Sequence, residues 1–128
     1  MFDHVESKVV RFDSCQHCYA TVLAPLLIEH KMSDEAAAGF GLMGRDHVGF
    51  LIERGQQGAS CHLAFRADDT TQVDAFHHAG IKAGFACNGL PGLRSHYAPN
   101  YYAAFLRDPD GNNIEAMTYL ECPDTASE

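Results

Sequence analysis

Residues 101–115 read Tyr-Tyr-Ala-Ala-Phe-Leu-Arg-Asp-Pro-Asp-Gly-Asn-Asn-Ile-Glu. Two largely apolar runs, Tyr101 to Arg107 and Asn112 to Tyr119, flank Asp108-Pro109-Asp110-Gly111. Proline at the second turn position and glycine at the fourth signal a type I turn, so the stretch is predicted to form a β-hairpin. The hairpin closes on Ile114-Glu115, and the same pair occurs earlier, at Ile52-Glu53.

Around those two pairs, each half of the chain shows a strand, a helix and further strands. Asp69-Thr70-Thr71-Gln72 is a capping-box-like helix start, followed by Val73, Phe76, Ala79, Gly80 and Ile81 at helical spacing, with Gly84 to end it. Asp13-Ser14-Cys15-Gln16 has the same form. After it Cys15, Cys18, Tyr19, Val22, Leu23 and Leu26 make the stripe, with Pro25 near its end. Before the helices, Phe2 to Val10 and Ser60 to Arg66 read as strands. Val5 and Val9 share one face, opposite His4, Glu6 and Lys8; Leu63 and Phe65 share another, opposite His62, Ala64 and Arg66. Gly39 to Met43, His47 to Arg54 and Phe85 to Asn88 are the remaining predicted strands. Strand histidine, Asp-x-x-Gln and Ile-Glu recur in order, at offsets of 58, 56 and 62 residues. This pattern predicts an α+β fold of two βαβββ modules, about 1–56 and 58–120. They would form a curved, cup-shaped mixed sheet with helices outside, one domain over 1–122 and a tail over 123–128.

Composition sets the class. Of 128 residues, 46% are hydrophobic and 20% charged, which suits a folded soluble chain. The net charge of −8 argues against nucleic acid and anionic membranes as partners. No apolar run reaches the length of a bilayer span, and Met1 to Glu6 lacks a signal-peptide core. Five cysteines without framework spacing point to a reducing cytoplasm rather than a disulfide scaffold.

In two such modules the less apolar strand faces would line the cup, carrying His4, His62 and Glu115. Two imidazoles and one carboxylate on rigid strands can form a facial triad with open positions for a divalent ion: Zn, Ni, Fe or Mn. The blander reading of each residue alone is a hydrogen-bonded strand histidine or a solvated glutamate.

The opening Phe-Asp-His-Val-Glu, the middle His-Leu-Ala-Phe-Arg-Ala and the closing Arg-Asp-Pro-Asp-Gly-Asn-Asn-Ile-Glu-Ala resemble the glyoxalase/bleomycin resistance/dioxygenase (vicinal oxygen chelate) superfamily. The resemblance covers nearly the whole chain. It implies paired βαβββ modules, a homodimer, a small-molecule substrate and a divalent metal at His4, His62 and Glu115. In glyoxalase I enzymes a fourth ligand comes from the end of the first module; Glu53 is the candidate, with a solvated strand-end residue as the alternative. The implied functions are a glyoxalase-like lyase or isomerase with Glu115 or Glu53 as base, an extradiol-type ring-cleaving dioxygenase, or a non-catalytic binding protein of the bleomycin-resistance type. The segment after Glu115, Ala-Met-Thr-Tyr-Leu-Glu, lacks the cation that a phosphonate-binding relative would carry there.

Other residues are weighed singly. Cys15 and Cys18 fall on the apolar stripe and are expected in the core. His77 and His78 point about 100° apart on a helix and are expected at the surface. Gly89 to Tyr102 is expected to be a pocket-side loop. In it Arg94 would pair a substrate carboxylate, and His96, Tyr97 and Tyr101 would hydrogen-bond or relay a proton; the alternative is a tyrosine-rich packing or dimer-seam loop. Arg66, near His62 on the same strand face, is a second candidate anion contact, with a residue that only lines the surface as the alternative.

Overall fold

The structure is a computed structural model that describes residues 2–56 and 61–121. The tail expected over 123–128, and Ser60 at the expected start of a strand, lie outside the described residues.

Each half contributes one four-stranded mixed sheet. In the first, β1 (Val5–Val9), β2 (Ile28–Ser33), β3 (Ala37–Leu42) and β4 (Phe50–Arg54) are ordered β1-β4-β3-β2. In the second, β5 (His62–Arg66), β6 (Cys87–Leu93), β7 (Tyr101–Arg107) and β8 (Asn113–Tyr119) are ordered β5-β8-β7-β6. The outer pairs of corresponding strands are parallel, β1 with β4 and β5 with β8, and the remaining pairings are antiparallel. The repeat is therefore real at the level of topology, in an α+β fold.

The helices α1 (Phe12–Leu23) and α2 (Thr70–Lys82) cover the apolar sheet faces. Val9, Phe40, Ile52, Leu106 and Ile114 meet Tyr19, Val22, Val73 and Phe76 in a core that spans both modules. Phe50 stands edge-on to Phe65 of the other module at 5.4 Å. Cys15 and Cys18 are wholly buried in this core, as their stripe predicted. Ile81, assigned to the stripe of α2, is instead 45% exposed.

The two helix starts differ. At α2, Asp69 accepts from the Gln72 backbone N–H at 2.9 Å, the expected cap. At α1 the N-cap is Arg11, with no side-chain cap, and Asp13 falls in the first turn. The entry to the helix is instead held from the other module: Asp110 accepts from the backbone N–H groups of Val10 and of the N-cap Arg11 at 2.6 and 2.9 Å. Arg11 and Asp69 each lie seven residues after a histidine, His4 and His62, so histidine and helix start keep one spacing in both modules, although His4 itself falls just before β1.

The hairpin turn forms as read: Gly111 N–H donates to Asp108 O at 2.9 Å, and Gly111 takes φ +88°, where a side chain would be strained. Its Asp108 is 4% exposed. That carboxylate accepts from the Tyr19 hydroxyl at 2.7 Å, from the backbone of Asp110 and Asn112, and from the Asn112 amide. The turn thereby ties β7–β8 to α1. Asp108→Ala is expected to cost about 3 kcal/mol, because it orphans several buried donors at once; urea unfolding of the variant measures this directly.

Two strands depart from expectation. β2, Ile-Glu-His-Lys-Met-Ser, is an edge strand with an irregularity between His30 and Met32, and its weak alternation hid it. β6 runs through the first third of the expected loop; its pairing with β7 shifts register around Gly89 and Gly92, so it is an irregular edge strand carrying Pro91.

Candidate active site

The less apolar faces of β5, β7 and β8 bring three side chains together. His62 pairs in register with Asn113, and Glu115 lies two residues further along β8 on the same face. Across the other edge of β8, Glu115 pairs with Phe105, which puts Tyr101 on that face as well. Glu115 is 1% exposed. His62 Nε2 lies 2.7 Å from one carboxylate oxygen, and the Tyr101 hydroxyl donates to the other at 2.5 Å. A carboxyl group removed from water in this way is held by partners at both oxygens. Burial first, then the hydrogen bond to Glu115 and its charge, hold the Tyr101 phenol well above its ordinary value, so at neutral pH it keeps its proton and donates.

Beneath the trio, Ala103, Phe105 and Met117 form a small apolar cluster against Tyr101. Tyr101 is flanked edge-on by Tyr97 at 5.1 Å and Tyr119 at 5.4 Å, and Arg66 lies over the Tyr119 ring at 5.3 Å. His96 packs on Tyr97 at 4.4 Å and is exposed. A cavity of about 260 Å³ opens beside them, lined by Asn88, Gly89, Arg94, Tyr97, Phe105 and Asn113. The expected substrate residues Arg94 and Tyr97 thus line one cavity next to Glu115, while Arg66 stands over Tyr119. Asn88 and Asn113 were missed, although Asn113 shares a face with Glu115 by strand alternation alone. A larger cavity, about 340 Å³, lies among Phe40, Phe50 and Phe65 with Arg45 and His47 in its lining, and none of the candidate residues borders it.

His4 and Glu53 stand elsewhere. His4 is exposed, just before β1, with Nδ1 2.8 Å from Asp3 Oδ1; that bond raises its pKa. Glu53 is half-buried and stands in register with Lys8 and Ala37. The ladder explains its place. His62 pairs two residues before Glu115, whereas His4 precedes the pair Val5↔Phe50, so the corresponding step ends on Leu51. The two Ile-Glu pairs are therefore two residues out of step with the two histidines.

His62 and Glu115 supply one imidazole and one carboxylate, a donor pair suited to a divalent ion. Among the described residues, no three His, Cys, Asp or Glu side chains converge to hold one. Two of the three expected ligands are thus assembled within the chain.

His77, expected at the surface, is 7% exposed, with Nε2 3.1 Å from Cys87 Sγ. Burial lowers its pKa, so the folded chain resists protonating it. Its contribution to stability is complete above the ordinary histidine value, about 6.5, and is lost as pH falls below it, where the unfolded chain takes up the proton. His77→Gln is expected to flatten the decline in melting temperature between about pH 7 and pH 5.

The comparisons with known proteins agree with this architecture. The family model Glyoxalase/Bleomycin resistance protein/Dioxygenase superfamily matches residues 4–116. A glyoxalase/bleomycin resistance protein from Albidiferax ferrireducens T118 is 34% identical, with 91% of this chain and 98% of that one covered and a TM-score of 0.76. Lactoylglutathione lyase from Agrobacterium tumefaciens shares the fold at 17% identity, covering 91% and 92%, with a TM-score of 0.68. Fosfomycin resistance protein FosX from Mesorhizobium loti does so at 18% identity, covering 100% and 98%, with a TM-score of 0.66. No curated protein is significantly similar to the chain. With the matched model spanning most of its length and two βαβββ modules in its structure, the chain belongs to the glyoxalase/bleomycin resistance protein/dioxygenase superfamily.

Proposed function

We propose that the protein is a divalent-metal-dependent lyase or isomerase of the glyoxalase kind, acting on a small oxygen-bearing metabolite beside Glu115. The observation that carries this reading is the buried Glu115 carboxylate held between the His62 imidazole and the Tyr101 hydroxyl. His62 and Glu115 would hold the ion, with His4 of a second copy of the chain as third donor. When bound, the ion would supply a Lewis acid for two neighbouring substrate oxygens. Glu115 is the base we assign: it takes a proton from one substrate carbon and returns it to the next. Tyr101 orients that carboxylate, and Phe105 and Met117 keep one side of it dry. A homodimer is part of this proposal, as is a cytoplasmic setting, which suits the four free cysteines among the described residues.

The test is turnover of a hemithioacetal of methylglyoxal after loading with Mn, Fe, Ni or Zn, with oxygen uptake followed in parallel using catechol. Isomerisation without oxygen uptake supports the proposal. Oxygen uptake with catechol would move the assignment to a ring-cleaving dioxygenase. A non-catalytic binding protein is the second reading, favoured by the incomplete ligand set among the described residues. Failure to bind any of the four ions would establish it over the lyase.

A further inference from the structure

We propose that the 260 Å³ cavity beside Glu115 is a carboxylate subsite, so that the ligand it takes is a small molecule bearing a carboxylate. This rests on the proposed function for what happens at Glu115, but not for the binding itself.

Arg94 is held from two sides. It follows β6 directly, and its backbone N–H donates to Tyr101 O at 2.7 Å, which fixes it against β7. One guanidinium nitrogen, Nη2, donates to Leu90 O at 2.6 Å, and the group lies over the Phe105 ring at 5.4 Å. Two glycines make room for it. A Cβ at Gly89 would sit 3.2 Å from Nη2, and one at Gly92 would sit 3.2 Å from Nη1. Gly92 thus leaves the guanidinium room against the strand, while a Cβ at Gly89 would also press on the Phe105 ring, at 2.8 Å.

Charge then selects the ligand. Arg94 is the one charged residue in the cavity lining, in a protein of net charge −8. Among the described residues no carboxylate lies within ion-pair distance of it. Guanidinium carries five N–H donors in a planar fork, and the hydrogen bond to Leu90 takes only one nitrogen. A half-buried fork without an acid partner, in a neutral cavity, fits a carboxylate. The Asn88 amide donates to Asn113 Oδ1 at 2.9 Å, which leaves the Asn113 amide nitrogen as a further donor.

Position links this subsite to the chemistry. Phe105 pairs across the ladder with Glu115, Asn113 lies two residues before Glu115 on its face, and Tyr97 stacks edge-on to Tyr101. The subsite therefore lies on the sheet face that carries Glu115 and His62.

Calorimetric titration of the metal-free chain with lactate and with lactamide, its neutral counterpart, tests this without turnover. The acid is expected to bind about 10–100-fold tighter than the amide, the worth of charge-assisted hydrogen bonds. Arg94→Gln should erase that ratio and Arg94→Lys restore part of it. Gly92→Ala should weaken acid binding by crowding the fork without removing it. An acid-to-amide ratio near one in the parent chain, or a ratio unchanged in both Arg94→Gln and Gly92→Ala, overturns the proposal and leaves Arg94 as a strand clamp. Acid selectivity in a chain that turns nothing over would sink the lyase reading alone.

Discussion

Glu115→Gln is expected to lower turnover by about 10²–10⁴-fold, the usual worth of a positioned general base, while the chain stays folded. Glutamine keeps the shape of the carboxylate. Its carbonyl oxygen can still accept from Tyr101 and its amide can donate to an unprotonated His62 Nε2, so both contacts survive without the charge. What is lost is the ability to take a proton and to neutralise a cation. Replacing a residue that merely orients a ligand costs 10–100-fold in metal affinity, so loss of a direct ligand should cost at least about 100-fold. Glu115→Ala separates packing from chemistry. It strands the Tyr101 hydroxyl in a half-buried place and empties a position only 1% exposed, which should cost a further 1–3 kcal/mol or so of stability. Metal titration, turnover and thermal melting on the three proteins check these outcomes together. Parental metal affinity and turnover in Glu115→Gln would remove Glu115 from the site.

Much of this architecture is written locally. The Asp108–Gly111 turn, the stripe of α2 from Val73 to Gly80 and its Asp69 cap depend on neighbours a few residues away, and each forms as the local pattern requires. α1 shows the limit of that logic. Its start looked like a copy of the α2 signal, but Asp13 caps nothing, and Asp110 supplies the acceptor from about a hundred residues on. Local patterning has no access to such a partner. The same holds for β2 and β6, edge strands whose existence depends on pairing with β3 and β7 rather than on alternation of their own. His77 was legible in principle: it follows Val73 by four residues and precedes Gly80 by three, within the buried stripe, and its polarity masked the spacing.

The site divides along the same line. His62 and Glu115 were readable because strand alternation fixes which face each occupies, and the parallel pairing of β5 with β8 then brings them together. Glu53 looked like the counterpart of Glu115 because both follow an isoleucine near the end of a module. Register decides otherwise. An offset of two residues keeps a side chain on the same face but moves it one step along the strand, and the count from His4 ends at Leu51. Gly89 and Gly92 read as loop punctuation, yet in the folded chain a side chain at Gly92 would press on the Arg94 guanidinium and one at Gly89 on the Phe105 ring.

Mixing two inactive variants, His4→Ala and His62→Ala, by joint refolding is expected to restore about a quarter of parental activity and of bound metal. His4 is bonded to Asp3, among the described residues no three donors converge, and His62 and Glu115 already touch. If the third donor comes from a second copy, each two-fold dimer has two sites, and each site takes His4 from one copy and His62 with Glu115 from the other. Either variant alone then has two broken sites per dimer. Random pairing makes half the dimers mixed. In each mixed dimer one site combines the intact His4 with the intact His62 and works, while the other carries both defects. A site built within one chain makes the opposite demand, because every site in the mixture then lacks one histidine and the mixture stays as inactive as its components. The measurement separates a shared site from a self-contained one without a structure of the dimer. Asp3→Asn sharpens it: if the bond between His4 and Asp3 holds the imidazole away from the metal in the single chain, weakening it should ease metal binding in the assembled protein rather than impair it.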